Sequence, residues 1–187
     1  MLVISGPNGG GKTAAMKTLG IAAALSQCGG FVPAAPGGKL PVFTRLIAVA
    51  APRSSVTAGV SQFQAHARDL ALALAAVRPG ALVLLDEVGN GTDPGEAAAL
   101  AQAVLEHLLA REVLTLSTTH LAQLKGFATR TEGVVNASVQ LDGRGAPTFV
   151  ITVGRAGRSF ALEAARAAGL PAALCDRAER LHTDGAS

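Results

Sequence analysis

Aromatic residues are scarce in this sequence, which has six phenylalanines and neither tyrosine nor tryptophan. It also has no run of lysine and arginine, although its formal net charge is +3. Proteins that bind single-stranded nucleic acid usually combine aromatic stacking platforms with a basic groove. The composition therefore permits contact with nucleic acid but does not indicate such a site.

Long apolar runs are missing as well. The most apolar stretch, Asp69–Val77, is much shorter than the roughly 20 residues that a membrane-spanning helix needs. No basic segment followed by an apolar one marks a secretory signal at the start. The 187 residues are 49% hydrophobic and 16% charged, which is too apolar for disorder. We expect one cytoplasmic domain with a substantial core and no membrane partner.

Cysteine and histidine are few. Cys28 and Cys175 lie far apart and have no CxxC spacing. We expect both to be small buried residues in a reducing cytoplasm, without a redox or metal role. Three histidines, His66, His107 and His182, are expected to be ordinary helix residues.

Short apolar runs alternate with longer segments rich in alanine and leucine. Strands are predicted at 2–5, 44–51, 81–87, 113–119, 134–142 and 148–153, and helices at 12–28, 61–77, 95–112, 121–128, 158–169 and 171–181. Such alternation predicts an α/β fold with a mostly parallel sheet and helices on both faces. The last two strands are expected to form an antiparallel hairpin at the sheet edge.

The stretch GPNGGGKT, between the first strand and the first helix, fits the phosphate-loop pattern GxxxxGK[ST]. Its glycines allow backbone N–H groups to surround phosphates, and the helix start adds a positive dipole end. Lys12 is expected to reach the β- and γ-phosphates of ATP, and the Thr13 hydroxyl to ligate Mg²⁺. The predicted nucleotide-binding residues here are Gly6, Pro7, Asn8, Gly9, Gly10, Gly11, Lys12, Thr13 and Ala14.

Two acidic residues follow the continuous apolar strand ALVLL. Asp86 is expected at the carboxyl end of that strand, on the side of the phosphate loop, where it can hold Mg²⁺ through water. Glu87 is then placed to polarise the attacking water and to lie near the metal. This pair favours hydrolysis over transfer to an acceptor.

The next strand ends in STTH, which places His120 where it can contact the γ-phosphate and sense its presence. The loop 88–94 is longer than a turn requires. Thr92 or Asp93 is expected to cap the following helix, with Pro94 as its first residue and Glu96 completing a capping box. That role leaves the segment 89–91 unexplained.

The order of these motifs resembles that of ABC-type P-loop ATPases, and within them the MutS family. GPNGGGKT is similar to that family's phosphate loop, Ser61-Gln62-Phe63 to its S-x-F motif, and STTH to its histidine switch. LLDEVGNGTDPGEAAALA and the closing GRSFALEAARAAGLPAALCDRAERL are similar to the corresponding family segments. The GTDP, PVF and VVNASV segments point to the second branch. The resemblance covers essentially the whole chain.

The resemblance implies that ATP is bound between two subunits of a homodimer. Lys12, Glu87 and His120 would act in one subunit, while Ser61 of the other supplies a γ-phosphate contact in trans through the start of its helix. Asn90 and Asp93 would lie in the loop that touches the partner. Second-branch members suppress homologous recombination and act on stalled ribosomes, so DNA and rRNA would be bound by other domains, among them a C-terminal nuclease.

Residues 1–187 are accordingly expected to be a MutS-type ATPase domain without the family's lead-in strands, excised from or a remnant of a longer protein, with a helical tail at 155–187. One departure is Pro52-Arg53-Ser54 in place of the branch's acidic-glutamine stretch. A non-hydrolysing nucleotide-binding or dimerisation module remains an alternative. A transporter-type ABC subunit is another, although LALALAAVRPG stands where an LSGGQ-like segment would support it.

Overall fold

The computed structural model describes residues 1–50, 62–142, 146–157, 162, 165–166 and 168–184. Ser61, the segment Pro52–Ser54 and most of the predicted helix 158–169 lie outside this description. The described elements are β1 (Leu2–Ser5), α1 (Lys12–Gln27), β2 (Arg45–Val49), α2 (Gln62–Ala76), β3 (Ala81–Asp86), α3 (Pro94–Leu109), β4 (Leu114–Thr119), α4 (Ala122–Arg130), β5 (Val135–Leu141), β6 (Pro147–Val153) and α5 (Ala172–Asp184).

The strands form one sheet in the order β2-β3-β4-β1-β5-β6. The pairs from β2 to β5 are parallel, and only β5 and β6 pair antiparallel, as a hairpin at the edge. The predicted α/β architecture and edge hairpin are therefore confirmed. All six residues of β3 are buried, because helices cover both faces of the sheet at this strand.

Two apolar clusters, one on each face, hold the helices to the sheet. The first joins α2, α3 and α4 to the sheet through side chains such as Leu70, Leu105 and Leu124. The second joins α1 to the opposite face through Met16, which packs with Ile4 and other strand residues. Three helices on one face and α1 on the other confirm the prediction of a covered sheet. No helix within the described ranges is long and apolar enough to cross a bilayer.

The burial expected for Cys28 is wrong, whereas Cys175 is buried as predicted. Cys28 is the C-cap of α1, with its N–H bonded to the carbonyls of Ala24 and Leu25. Gly29 follows with φ 73° and turns the chain away from the helix. The thiol therefore lies at an exposed helix end, which the apolar composition of the segment did not indicate.

The cap of α3 is Asp93, not Thr92. Its Oδ1 accepts the N–H groups of Gly95 at 2.8 Å and Glu96 at 3.2 Å, and Pro94 is the first helical residue. The expected capping box is altered, since the Glu96 carboxylate accepts the Thr92 hydroxyl at 3.0 Å. The helix is thus fixed at the end nearest the acidic pair.

Helix α3 ends at Leu109, three residues before the predicted boundary. The reason is Glu112, whose φ of 54° lies in the left-handed region. The Val113 N–H returns to the Leu108 carbonyl. Helix ends of this kind usually carry glycine, so a glutamate at this position does not indicate the end of a helix.

Candidate nucleotide-binding and hydrolysis site

The candidate site lies at the carboxyl ends of β1, β3 and β4. Strand β1 sits between β4 and β5, while α1 leads from it to β2 at the far edge of the sheet. The chain therefore leaves β1 toward one edge of the sheet, while β5 lies on the other side of β1. At such a topological switch point a crevice forms above the carboxyl ends of the strands. The segment 6–11 occupies this crevice.

Tight packing shapes the phosphate loop. A Cβ atom at Gly6 would collide with Cγ2 of Val139 on β5. Gly11, the N-cap of α1, has φ 95° and provides no side-chain cap. The first N–H groups of α1 are consequently available to an anion.

Lys12 is only 4% exposed and its ammonium folds back into this loop. Nζ donates to the carbonyl oxygens of Gly6 at 2.9 Å and Pro7 at 3.0 Å, and lies 3.4 Å from Asn8 Oδ1. It also lies 3.6 Å from Oε1 of Glu87. A buried cation is thereby placed where the loop would enclose a phosphate.

Thr13 and Asp86 face each other across the crevice. The Thr13 hydroxyl lies 3.0 Å from both carboxylate oxygens of Asp86, which is 3% exposed. A hydroxyl and a carboxylate are oxygen donors that suit Mg²⁺, which usually keeps several waters and takes phosphate oxygens as further ligands. In the described part of the chain no cluster of three or more His, Cys, Asp or Glu residues could cage a metal. The donor set therefore fits an ion shared with a bound triphosphate.

Glu87 stands at the centre of the polar contacts. Its Oε1 lies 3.5 Å from Nδ1 of the half-exposed His120, and its Oε2 accepts from Asn90 Nδ2 at 3.3 Å. Its φ of 50° is unusual for a residue other than glycine. Such a conformation costs on the order of 1–3 kcal/mol and is concentrated at functional sites. The strained backbone therefore indicates that the position of the Glu87 side chain matters for function.

The segment 89–91, which helix capping left unexplained, now has a geometric role. Gly89 and Gly91 have φ values of 83° and 98°. They turn the chain so that Asn90 reaches Glu87, whereas Asp93 is occupied in capping α3. The phosphate loop, Asp86, Glu87, His120 and Asn90 are thus brought together.

A cavity of about 710 Å³ adjoins the phosphate loop, between α1, the segment 32–40 and the β5–β6 hairpin. Its walls include Gly11, Ala14, Lys39 and Phe149. Phe149 is 72% exposed and has φ 59°. The sequence did not indicate this residue, because a phenylalanine in a predicted edge strand is usually a residue of the hydrophobic core.

The MutS domain V family model matches residues 2–184. The chain belongs to the MutS family. It is 47% identical over its whole length to the endonuclease MutS2 of Thermomicrobium roseum, of which it covers 24%. It is 46% identical to that of Thermus thermophilus (99% of this chain, 25% of the relative) and 45% identical to that of Gemmatimonas aurantiaca (95% and 22%).

The chain spans about a quarter of the length of these curated relatives. Their agreement places it in the MutS2 branch, as the sequence motifs predicted. Domain V of the MutS family is a P-loop ATPase-type domain, so the expected fold is also confirmed. A transporter-type subunit is excluded by the family.

A second lysine of this MutS domain escaped sequence reasoning. Lys125 on α4 donates to the Gly157 carbonyl at 2.6 Å, and the Gly157 N–H donates to Ser5 Oγ at 2.7 Å. Burial lowers the pKa of the Lys125 ammonium, and the nearby charge of Lys12 lowers it further. Gly157 therefore joins the chain after β6 to the base of the phosphate loop, and Lys125 holds Gly157 from α4. Its only sequence sign is its place five residues after His120.

Proposed function

We propose that the chain is the Mg²⁺-dependent ATPase domain of a longer MutS2-type protein, and that it binds ATP and hydrolyses it slowly. The observation that carries this proposal is the meeting of Lys12 and Glu87, whose Nζ and Oε1 atoms lie 3.6 Å apart. A phosphate-binding cation and a candidate base are thereby within reach of the same γ-phosphate.

Phosphate binding would fall to the loop and the start of α1. Lys12 would exchange its contacts with the Gly6 and Pro7 carbonyls for the β- and γ-phosphates. Thr13 would ligate Mg²⁺ directly and Asp86 through water. The ion, when bound, supplies positive charge that neutralises the triphosphate.

Hydrolysis would depend on Glu87. Its carboxylate orients a water molecule and takes its proton, while the water oxygen attacks the γ-phosphorus and the bond to the ADP oxygen breaks. His120, 3.5 Å from the same carboxylate, would contact the γ-phosphate and sense its presence. Asn90 holds the other carboxylate oxygen and limits its rotation.

The nucleoside would occupy the cavity beside the phosphate loop. This cavity opens from Gly11 and Ala14, so it begins where the phosphates end. Phe149 offers an exposed ring at its wall, and Lys39 lies on the opposite segment. Aromatic rings bind bases by stacking without demanding a particular hydrogen-bond pattern.

The site would be completed by a second copy of the chain. Among the described residues, Lys12 Nζ and His120 Nδ1 lie 3.6 and 3.5 Å from Glu87 Oε1. A further γ-phosphate donor is expected from Ser61 of the partner, through the positive dipole end at the start of its helix. Asn90 and Asp93 would lie at this interface.

The longer protein of which this chain would be one domain is expected to act on nucleic acid. The relatives are named endonucleases, and about three quarters of their length lies outside the part matched here. We infer that branched DNA or ribosomal RNA is bound by those other regions, and that ATP turnover in this domain drives suppression of recombination or action on stalled ribosomes. The chain alone should bind a DNA junction only weakly and in a strongly salt-dependent way.

The test is phosphate release by this chain and by Glu87→Gln. Glu132→Gln is the matched control, because Glu132 is an exposed acid before β5, at the opposite end of the strands from the site. The unsubstituted chain (the parent) and Glu132→Gln should hydrolyse ATP, while Glu87→Gln should bind ATP and release almost no phosphate. Light scattering should show that ATP converts Glu87→Gln to a dimer. Protein concentration must be measured by refractive index, because a chain without tyrosine or tryptophan has almost no absorbance at 280 nm.

Each outcome separates the possibilities. If the parent releases phosphate no faster than Glu87→Gln, the proposal that this chain hydrolyses ATP is wrong. Binding of ATP without turnover would identify a non-hydrolysing nucleotide-binding module instead. If Glu87→Gln stays monomeric in saturating ATP, the proposal of a site shared between two subunits is wrong. Tight junction binding that persists in high salt would show that this domain itself recognises DNA.

A further inference from the structure

Thr118 touches both acidic residues of the site from a neighbouring strand. It is fully buried on β4 and in register with Asp86 on β3. Its hydroxyl donates to Asp86 Oδ1 at 2.5 Å and accepts the N–H of Glu87 at 3.2 Å. Its carbonyl oxygen accepts the same N–H, also at 3.2 Å.

The bond to Asp86 constrains how that carboxylate faces a metal. A buried hydroxyl–carboxylate bond is charge-assisted and therefore short and strong. With Oδ1 held from β4, rotation of the carboxylate is limited, and Oδ2 stays directed at the Thr13 hydroxyl, 3.0 Å away. Thr118 thus fixes the geometry of the two side chains that would hold Mg²⁺.

The bonds to the Glu87 N–H act on the second acidic residue. Glu87 has a left-handed backbone conformation, which persists only where surrounding contacts enforce it. Both acceptor atoms of Thr118 face this N–H. One buried side chain therefore couples the direction of the Asp86 carboxylate to the backbone that directs Glu87.

We propose that Thr118 is a positioning residue that sets the Mg²⁺ response of this site by holding Asp86 and Glu87 in one arrangement. It is too deeply buried to touch the nucleotide. The inference rests on the proposed function, because it assigns the device that orients the metal-binding and base residues of that same site.

Three variants separate this role from ordinary core packing. Thr118→Val removes the hydroxyl with little change of shape, and Thr118→Ser keeps the hydroxyl. Thr115→Val is the matched control, since Thr115 is 1% exposed on the same strand and donates to the Val113 carbonyl, away from the acidic pair. If Thr118→Val does not fold by circular dichroism, Thr118→Ala takes its place.

The first readout is the Mg²⁺ concentration that half-saturates binding of a fluorescent ATP analogue, and the second is phosphate release as Mg²⁺ is varied. Thr118→Val should need about tenfold more Mg²⁺, as expected for the loss of one bond to a charged group, and its maximal rate should fall. Thr118→Ser should restore most of the response, and Thr115→Val should match the parent. Without nucleotide or metal, the Glu87 amide should exchange faster in Thr118→Val only.

An unchanged Mg²⁺ midpoint and unchanged Glu87 exchange in Thr118→Val would overturn the proposal, whatever happens to its melting temperature. Equal shifts in Thr118→Val and Thr115→Val would do the same, since they would mean that β4 packing alone is responsible. If the parent binds ATP without turnover, the binding midpoint still decides the role of Thr118 while hydrolysis fails. If the parent does not bind ATP at all, both proposals fail.

Discussion

The Thr13 hydroxyl lies 3.0 Å from both carboxylate oxygens of Asp86, across 73 positions of sequence. The sequence motifs predict each residue separately as part of a Mg²⁺ site, but neither motif shows that the two side chains meet. Their meeting joins the start of α1 to the end of β3 and leaves hard oxygen donors beside the phosphate loop.

Thr13→Val should therefore lose most of the gain in ATP affinity that Mg²⁺ provides, while affinity in EDTA changes little. Loss of a metal-directed hydroxyl should weaken Mg²⁺-dependent binding by about tenfold or more. Titration of a fluorescent ATP analogue with and without Mg²⁺ measures this. Thr44→Val, whose hydroxyl donates to Pro79 far from the site, should behave as the parent; equal losses in both variants would contradict the assignment.

Phe149→Ala should weaken ATP binding with little effect on the rate at saturation. Stacking of a base on an aromatic ring is worth about 1–3 kcal/mol, which corresponds to roughly five- to 150-fold in affinity. Isothermal titration calorimetry of the parent and the variant gives the difference. Phe31→Ala is the control, because Phe31 is fully exposed and is not part of the cavity wall. Unchanged affinity in Phe149→Ala would place the base elsewhere.

Asp93→Ala should lower the free energy of unfolding by about 0.5–2 kcal/mol, the usual cost of losing a helix N-cap. Asp93 accepts two N–H groups at the start of α3. Asp93→Ser should retain most of the stability. Urea unfolding followed by circular dichroism provides the values, with Asp69→Ala on the exposed side of α2 as a comparison. A stable Asp93→Ala would show that the cap contributes nothing.

Lys125 should lose its proton below the ordinary range of lysine, because burial and the charge of Lys12 both lower its pKa. The unfolded chain then binds this proton more tightly than the folded one, so this residue's contribution to stability rises with pH between the folded and unfolded pKa values. Carbon-13 NMR of dimethylated protein follows the titration, and Lys125→Arg identifies its resonance. ATP should raise the pKa by adding negative charge nearby; an ordinary pKa in the absence of ATP would contradict the burial of the Lys125 ammonium and its proximity to Lys12.

Much of the site was visible in the sequence because it depends on local order. A glycine-rich turn between a strand and a helix predicts a phosphate loop wherever it occurs, and Asp86 followed a run of apolar residues that only a buried strand explains. The edge hairpin and the alternation of helices and strands were likewise local patterns. The predicted end of α3 was wrong because Glu112 adopts a left-handed conformation that glycine normally takes.

The sequence by itself determined the chemical inventory, the α/β class and the family motifs. Only the tertiary structure decided that Thr118 holds Asp86 and Glu87 together, that Lys125 binds the chain after β6 at Gly157, and that Phe149 faces a cavity beside Gly11. These contacts depend on the register and order of strands that are distant in sequence. Local periodicity fixes which residues face a core, but it carries no information about which strand lies beside which.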